Sequence, residues 1–449
     1  MYWKNNERLR LTVAGLSLLA SFAGGQTAVS TTAAPELTLE QAIVRAMANE
    51  PAFAAARADR DVSRLERTNA RTAVLPTATY HNQAIYTQPN GVPASRIGQV
   101  TDAPSPVFIA NNAVREYASQ GVFNETLGLG QIAAIRLADA NAARAEAELE
   151  IARRGLVSTV VSLYYGVGAG GSKLDIAREA LAEADHFVET TQKREAQREV
   201  AHADVLKAQL TQQQRQRELL DAEVAAQKAR LELAVLLYPD PSTPFTLTAA
   251  AAPPMLPERS SVEELARKNN PEVRSAAASL LGSQADTLSS QSALLPELNL
   301  NFTYGIDATN FGVNGPDGIR NLGYAMSAQV DIPVWDWLST ERKIKISRIR
   351  EKAAKAVLTT AQRRAVASLQ EFYAEAAAAN KQLASLDASV TTARESLRLT
   401  ELRYINGEST VLEVVDAQNT LSSAENARID GNVRYQLALA NLQTLTGTF

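Results

Sequence analysis

The chain has 449 residues, a formal net charge of −4, no cysteine and three histidines. It lacks the basic excess that nucleic-acid-binding proteins carry, and without cysteine it forms neither disulfides nor thiolate metal sites. The histidines, at positions 81, 186 and 202, fall in different predicted segments. No nucleophile–base pair or phosphate loop stands out. We therefore predict no catalytic residue, no metal, no cofactor and no nucleic-acid partner.

The N-terminus is typical of a secretory signal peptide. Its basic stretch contains Lys4, Arg8 and Arg10. An apolar run follows from Leu11 to Phe22, and Ser21-Phe22-Ala23 has the small-x-small pattern of a cleavage site. An N-terminal membrane anchor is the alternative, but the run is shorter than the ~20 residues of a spanning helix. No later segment approaches a transmembrane helix.

The sequence repeats itself. Asn49-Glu50-Pro51 recurs as Asn269-Asn270-Pro271, about 220 residues later, and residues 204–209 recur as residues 413–418. Self-similarity of this extent indicates two tandem copies of one structural unit. The predicted parts are a signal peptide at 1–23, a first repeat at 24–238, a linker at 239–257 and a second repeat at 258–449.

Two segments between the repeated elements have the amino-acid composition of loops. Residues 88–106 of the first repeat are rich in proline, asparagine and glycine and are predicted to be an exposed loop. The linker is also rich in proline, so it is expected to be extended rather than packed.

Each repeat is predicted to begin with two helices. Thr38, followed three residues later by Gln41, forms a capping-box pattern that predicts a short helix to about Ala48. A second helix is predicted from Pro51 to Val74, because proline is favoured in the first helical turn.

A pattern of period two follows, which predicts two strands in each repeat. In the second repeat these strands cover residues 298–306 and 322–332, and weaker versions occur at Thr77–Tyr86 and Arg115–Phe123. One face of the second pair is apolar, with Leu298, Leu300, Phe302, Tyr304, Tyr324 and Met326. A tilted membrane strand needs ~9–11 residues, but a half-buried soluble hairpin would show the same alternation. A membrane barrel would need several chains, since the smallest usual barrels have about eight strands.

Long helical tracts complete each repeat. They are predicted from Gln131 to Arg194, Val200 to Leu237, Ser339 to Tyr404 and Ser409 to Leu445. A heptad seam runs along the third tract through Leu383, Leu386, Val390, Ala393, Leu397, Thr400 and Tyr404, so an antiparallel helical hairpin is expected around a turn at Asn406-Gly407. Glycines at 166, 168, 170 and 171 predict a kink or a close contact.

The order of elements resembles that of the TolC-like outer-membrane efflux and secretion channels. The most specific motifs are residues 330–336, which include Pro333 and Trp335 at the strand-to-helix junction, and Arg403-Tyr404-Ile405-Asn406-Gly407 followed by residues 412–418. The resemblance extends over the mature chain, from Leu37 to Gly447.

The resemblance implies an α+β membrane protein that forms a homotrimer. Four strands from each protomer would close a twelve-stranded β-barrel in outer-membrane lipid, and the helices would form a long coiled-coil tunnel in the periplasm. The short segments near Leu37, the linker and the C-terminus would form a belt around the tunnel. The implied partners are a periplasmic adaptor protein and an inner-membrane transporter.

The resemblance also assigns a gate at the tip of the second helical hairpin. Tyr404 corresponds to a tyrosine that links neighbouring helices beside the turn at Gly407, and Glu413 and Asp416 correspond to an acidic pair around the entrance. In a trimer this pair would give six carboxylates around a narrow pore, and some of their pKa values are expected to be raised by the crowding of like charges. Ser409 stands where the family often has a basic residue. In the first hairpin, Arg198 replaces the turn glycine and Glu195 the tyrosine, so that tip is expected to be shaped differently.

We therefore predict a passive outer-membrane exit duct for efflux or type I secretion, without enzymatic activity. The sequence does not distinguish small-molecule from polypeptide export. The alternative is a periplasmic coiled-coil adaptor or structural protein. That class would have one helical hairpin flanked by split soluble β-domains, rather than two hairpins each preceded by a pair of strands.

Overall fold

The computed structural model describes residues 36–86, 115–248, 254–315 and 318–448. The predicted signal peptide and the predicted loop at residues 88–106 lie outside these ranges. The strands are β1 (Glu36–Leu37), β2 (Thr77–Tyr86), β3 (Arg115–Leu127), β4 (Thr246–Leu247), β5 (Glu297–Ala308) and β6 (Leu322–Asp331). The helices are α1 (Leu39–Asn49), α2 (Pro51–Thr72), α3 (Leu129–Ala196), α4 (His202–Leu237), α5 (Arg259–Asn269), α6 (Pro271–Ser292), α7 (Ser339–Ile405) and α8 (Val411–Thr446).

Local sequence determines where the short helices begin. At the start of α1, Thr38 Oγ1 accepts a hydrogen bond from the backbone N–H of Gln41, and Gln41 Oε1 accepts one from the N–H of Thr38, both at 3.3 Å. The predicted capping box is therefore confirmed. Pro51 and Pro271 are the first residues of α2 and α6, where the missing N–H is not needed.

Four strands form one antiparallel sheet in the order β2-β3-β5-β6. The predicted strands are confirmed, and β3 continues beyond its predicted end to Leu127. The central contact joins distant parts of the chain, because β3 pairs with β5, for example through Phe123 opposite Phe302. Within the described residues, β2 and β6 each pair on one side only, so they are the edges of this sheet.

Two very long helices continue from the sheet. Helices α3 and α7 have 68 and 67 residues, which corresponds to lengths of about 100 Å. Helix α4 packs antiparallel on α3 to form the first hairpin, and α8 packs on α7 to form the second. The predicted heptad seam is confirmed, since Val390, Ala393, Leu397 and Tyr404 are all buried. No helix within the described ranges is both long enough and apolar enough to cross a membrane.

The proline-rich segment after α4 is packed, contrary to the expectation of an extended linker. Phe245 is buried against Tyr164 of α3 and Leu237 of α4, and β4 pairs in parallel with β1. The hydroxyl of Tyr164 lies 3.2 Å from the carbonyl oxygens of Leu37 and Thr248, so it joins both short strands to α3. Burial raises the pKa of the Tyr164 hydroxyl, with smaller contributions from neighbouring Tyr165 and Glu40.

The glycine cluster of α3 does not interrupt the helix, which is continuous from Leu129 to Ala196. At Gly170 a Cβ atom would lie 3.4 Å from the Cα atom of Ala226 in α4. The predicted close contact is therefore present at this glycine, where it brings the two helices of the first hairpin together.

Candidate functional site

The tip of the second hairpin is a tight turn between α7 and α8. Gly407 has a φ of 78°, in the left-handed region that glycine adopts without strain. The N–H of Glu408 donates to the carbonyl of Arg403 at 2.8 Å, which satisfies an otherwise unpaired carbonyl at the end of α7. Thr410 then caps α8, because its hydroxyl accepts a hydrogen bond from the N–H of Glu413 at 3.3 Å.

Tyr404 fastens this tip to the first hairpin. The side chain is 3% exposed, its ring centroid lies 5.2 Å from that of Phe187, and its hydroxyl donates to Thr191 Oγ1 at 3.2 Å. Phe187 and Thr191 both lie on α3. Tyr404 therefore links α7 to α3 within one chain. Its role as a gate residue stays a prediction.

Arg194 of α3 closes over the same tyrosine. Its guanidinium carbon lies 4.8 Å from the centre of the Tyr404 ring, and its Nη1 atom donates to the Tyr404 carbonyl oxygen. Its Nε atom pairs with Glu199 at 3.0 Å. One arginine thus contacts the ring and the carbonyl of Tyr404 and holds the turn of the first hairpin, so the two tips form one unit.

Glu413 and Asp416 are both exposed on α8, three residues apart and hence on one side of the helix. Ser409 Oγ donates to Glu413 Oε2 at 2.8 Å, and Arg403 lies 3.9 Å from the same oxygen. These contacts, the Ser409 bond foremost, hold the pKa of Glu413 below its ordinary value. Within one chain the pKa of Glu413 is thus lowered, because hydrogen-bond donors surround its carboxylate. The expectation of raised pKa values concerns the six carboxylates of a trimer and stays a prediction.

The tip of the first hairpin has the same backbone turn, contrary to the expectation of a different shape. Arg198 has a φ of 60° where Gly407 has 78°, and the N–H of Glu199 donates to the Arg194 carbonyl at 2.9 Å. The side chains differ: Glu195 pairs with His202 at 2.7 Å on the surface. The left-handed conformation is therefore imposed on an arginine, which adopts it at some cost.

The predicted apolar face of the sheet lies on one side of β5 and β6. Leu300, Phe302 and Tyr304 stand opposite Ala328, Met326 and Tyr324, and Phe123 of β3 extends the row with its ring centroid 6.0 Å from that of Phe302. Tyr324 and Met326 are 78% and 74% exposed. Leu298, at the far end of the row, pairs with Val330.

The opposite face of the sheet is polar and its side chains bond across the strands. Thr126 donates to Asn299 at 2.9 Å, Gln120 donates to Asp307 at 3.0 Å, and Asn299 donates to Asp331 at 3.3 Å. The sheet therefore separates an apolar surface from a polar one, both of them accessible in the single chain.

The strand-to-helix junction places Pro333 and Trp335 between β6 and α7. Trp335 is 68% exposed and makes an edge contact with Trp337, with ring centroids 6.0 Å apart. Asp336 Oδ2 accepts a hydrogen bond from the N–H of Thr340 at 2.7 Å, and these hydroxyl and backbone contacts at Thr340 hold the pKa of Asp336 below its ordinary value. The junction thus caps the start of α7 and leaves its indole rings outside.

Sequence reasoning missed a polar cavity between the two hairpins. Its volume is about 620 Å³, and its lining includes Glu183, Arg215, Glu401 and Gln418. These residues come from four different helices, so only their packing brings them together. In the described part of the chain, no group of three or more histidine or acidic side chains is arranged to hold a metal ion.

Comparison with known proteins supports the resemblance to outer-membrane efflux proteins. Residues 262–448 match the family model described as outer membrane efflux protein. The chain is 26% identical over 310 residues to the pyoverdine export outer membrane protein OpmQ of Pseudomonas aeruginosa, a match that covers 66% of this chain and 60% of OpmQ. The chain thus spans less than two thirds of the length of that relative.

Solved structures share the fold. A membrane protein from Pseudomonas aeruginosa has a TM-score of 0.77 at 19% identity, with 92% of this chain and 91% of that chain covered. The outer membrane protein VceC of Vibrio cholerae has a TM-score of 0.75 at 18% identity, with 91% and 96% covered. The matching family model, OpmQ and VceC are all described as outer-membrane proteins, in agreement with the location expected from the sequence. The resemblance to the TolC-like outer-membrane efflux proteins that was expected from the sequence is therefore confirmed.

Proposed function

We propose that three copies of this chain form a passive exit duct through the outer membrane. The observation that carries the proposal is the continuity of the sheet with the helices. A four-stranded sheet with an exposed apolar face and two open edges leads directly into two helical hairpins whose long members measure about 100 Å.

The open edges of the sheet support closure into a ring. An open strand edge is not tolerated in lipid, so β2 and β6 need partners if the sheet enters a membrane. The order β2-β3-β5-β6 is antiparallel throughout, so β6 of one copy meets β2 of the next in antiparallel orientation. Three copies close twelve strands, which satisfies the even strand number of outer-membrane barrels.

The two faces of the sheet fit the two sides of such a barrel. The face with Phe302, Tyr324 and Met326 would contact lipid, and the hydrogen-bonded face with Asn299 and Asp307 would line the water-filled interior. Strands of 10 to 13 residues are long enough for a tilted membrane strand of ~9–11 residues. Trp335 and Trp337, just beyond β6, would lie at the periplasmic boundary of the lipid.

The helical part is proposed to be a periplasmic tunnel made of two tandem repeats. Its free end would be the tip at Gly407, where Tyr404 holds the second hairpin to the first and Glu413 and Asp416 face the aperture. Three copies place six carboxylates around it, and such rings favour cations. A periplasmic adaptor protein would open this end, and an inner-membrane transporter would supply the exported molecule in an efflux or type I secretion system.

The fold argues against the adaptor alternative. An adaptor was expected to have a single hairpin between halves of a soluble β-domain. This chain instead has two hairpins, and both follow strands of one shared sheet.

The test is planar-bilayer recording of the detergent-purified protein, with its mass determined in parallel. We expect a trimer that gives a small, stable, cation-preferring conductance, since the tunnel is nearly closed and its entrance is acidic. A monomer that is soluble without detergent and gives no conductance would overturn the proposal.

A further inference from the structure

The first twelve residues of α7, which directly follow the sheet, carry an exposed basic surface. Residues 339–350 contain five basic side chains and one acidic side chain, Glu341. All five basic side chains are exposed. They define the basic surface of α7 and are Arg342, Lys343, Lys345, Arg348 and Arg350.

The basic surface of α7 has no acidic partners. Arg342 Nη2 donates to the carbonyl oxygen of Trp337 at 2.8 Å, and the other four side chains form no hydrogen bond and no ion pair with any described residue. The first twelve residues of α3, the corresponding helix of the first repeat, contain one basic and one acidic residue. That acid, Asp139, pairs with Arg71 of α2 at 2.9 Å. The surplus of positive charge is therefore specific to α7.

The stability of the helix does not explain these cations. The N-terminal end of a helix carries a partial positive charge, so basic side chains are disfavoured there. The first turn also has its cap already, because Asp336 accepts a hydrogen bond from the N–H of Thr340 at 2.7 Å. The cations of the basic surface are thus set against the helix dipole, and an anion from outside the chain would offset both charges.

The segment between the sheet and the basic surface is apolar and aromatic. Val334, Trp335 and Trp337 are 89%, 68% and 77% exposed. Trp337 and Leu338 have φ values of 58° and 61°, a left-handed conformation that is costly for residues with a side chain. The fold therefore holds the indole of Trp337 outside against a backbone cost. Exposed indoles of this kind are typical of the boundary between lipid and water.

The order of these features along the chain matches the layers of a lipid leaflet. The apolar face of the sheet comes first, the indoles follow, and the cations come last. Lys345 lies about 9 Å along the helix axis from Ser339, and helical side chains point back towards the N-terminus. The head-group layer of a bilayer is roughly 5–8 Å thick on each side. Arg342, Lys343 and Lys345 thus reach the depth of lipid head groups if the sheet lies in the membrane.

We propose that the basic surface of α7 binds the phosphate groups of anionic phospholipids in the leaflet nearest the helical hairpins. The inference rests on the proposed function, because it requires the sheet to lie in lipid. Unpaired basic side chains next to a membrane attract anionic head groups, and the attraction acts over about a Debye length. The exposed indoles beside them would keep the bound lipids at a fixed depth.

Another copy of the chain is a poorer partner for these cations. In the proposed ring β6 meets β2 of the next copy, so α7 lies beside α2 of that copy. Helix α2 has five arginines and three acidic residues. The neighbouring copy would therefore bring more positive charge to the basic surface and would not neutralise it.

The test is tryptophan fluorescence of the full-length protein in vesicles. The chain has three tryptophans, and Trp3→Phe leaves Trp335 and Trp337 as the emitters. One vesicle sample contains phosphatidylglycerol with brominated acyl chains in ordinary phosphatidylcholine, and the other contains brominated phosphatidylcholine at the same mole fraction. Bromine quenches an indole that it contacts. We expect quenching to report at least a fivefold preference for phosphatidylglycerol, which is the effect of about one basic residue at a membrane surface.

The variant combines Lys343→Gln, Lys345→Gln and Arg348→Gln. It should lower the preference to about one while quenching by brominated phosphatidylcholine stays unchanged. The matched control combines Arg178→Gln, Lys228→Gln and Lys381→Gln, which remove the same charges from exposed positions about 60 Å from the sheet. The control should keep the parent preference.

The outcomes separate this inference from the proposed function. If neither brominated lipid quenches the indoles, both the membrane barrel and the inference are overturned. If both lipids quench equally in the parent, or if the control loses the preference as the variant does, the inference alone is overturned. It is also overturned if inorganic phosphate abolishes the preference and chloride at equal ionic strength does not, because the site then takes free phosphate. Loss of the trimer mass in the variant would assign the cations to a contact between copies instead.

Discussion

The two hairpin tips share a backbone and differ in almost everything else. Both turns place one residue in the left-handed region, Arg198 in the first and Gly407 in the second, and both close with the same pattern of backbone bonds. The first tip exposes the pair Glu195–His202, whereas the second buries Tyr404 against α3. Backbone geometry thus makes the turn, and one aromatic side chain determines which tip is held against its neighbour.

The variant with the largest expected effect removes the aromatic contact at the second tip. Tyr404→Ala deletes a buried ring that packs on Phe187, so we expect the tip contact to weaken by about 3–5 kcal/mol. Amide hydrogen exchange over residues 400–412 should increase, and the closed-state conductance should rise. Glu195→Ala, at the equivalent place in the first tip, is the matched control and should cost less than ~1 kcal/mol. Equal effects of both changes would contradict the asymmetry.

Tyr404→Phe sharpens the same point. It keeps the ring and removes only the hydroxyl that donates to Thr191, a loss of about 1 kcal/mol. We expect amide hydrogen exchange over the tip to rise to a rate between that of the parent and that of Tyr404→Ala. That result would show that packing of the ring provides most of the contact. An exchange rate equal to that of Tyr404→Ala would assign it to the hydrogen bond instead.

The two tips also differ in charge, because the acidic pair Glu413 and Asp416 is present only in the second. Residues 413 and 416 are Glu and Asp in the second hairpin, but the equivalent positions of the first hairpin hold Asp204 and Lys207, which lie 3.8 Å apart as an ion pair. Glu413→Ala combined with Asp416→Ala should therefore raise the conductance and reduce block by divalent cations. Lys207→Ala serves as the comparison and should leave that block in place. Unchanged block in the double variant would remove the acidic ring from the proposal.

The residue in the left-handed conformation of each turn can be replaced to measure what that conformation costs. Arg198→Gly relieves a left-handed conformation that costs a side chain about 1–2 kcal/mol, so this change should raise the apparent Tm slightly. Gly407→Ala imposes the same cost and should lower it. Thermal unfolding in detergent, followed by circular dichroism, measures both. Shifts of the same sign would show that the two turns are not equivalent.

The smallest effect concerns pH at the second tip. Because the pKa of Glu413 is lowered in the folded chain, its contacts stabilise the tip fully above the ordinary pKa of a glutamate and are lost as pH falls through the lower folded pKa. Ser409→Ala removes the main donor, so the pH at which tip exchange accelerates should move upward. Identical pH profiles for the parent and the variant would contradict this assignment.

The elements were predictable from the sequence because local patterns determine them. Thr38 and Gln41 marked the start of α1, and the alternation around Phe302 marked β5. Phe245 was not predictable as a core residue, since its burial depends on α1, α3 and α4 meeting around it. The cavity bordered by Gln418 was missed for the same reason, because its walls come from four helices that only packing brings together.

The pairing of β3 with β5 also has a consequence for how the chain acquires its structure. Leu127 stands opposite Leu298, about 170 residues further along the chain. Pairs this distant close late, because the entropy of the intervening chain opposes them until that chain is compact. We therefore expect the two helical hairpins, α3 with α4 and α7 with α8, to form first. The β3–β5 pairing, which joins the two halves of the sheet, should then form in the last stage of folding.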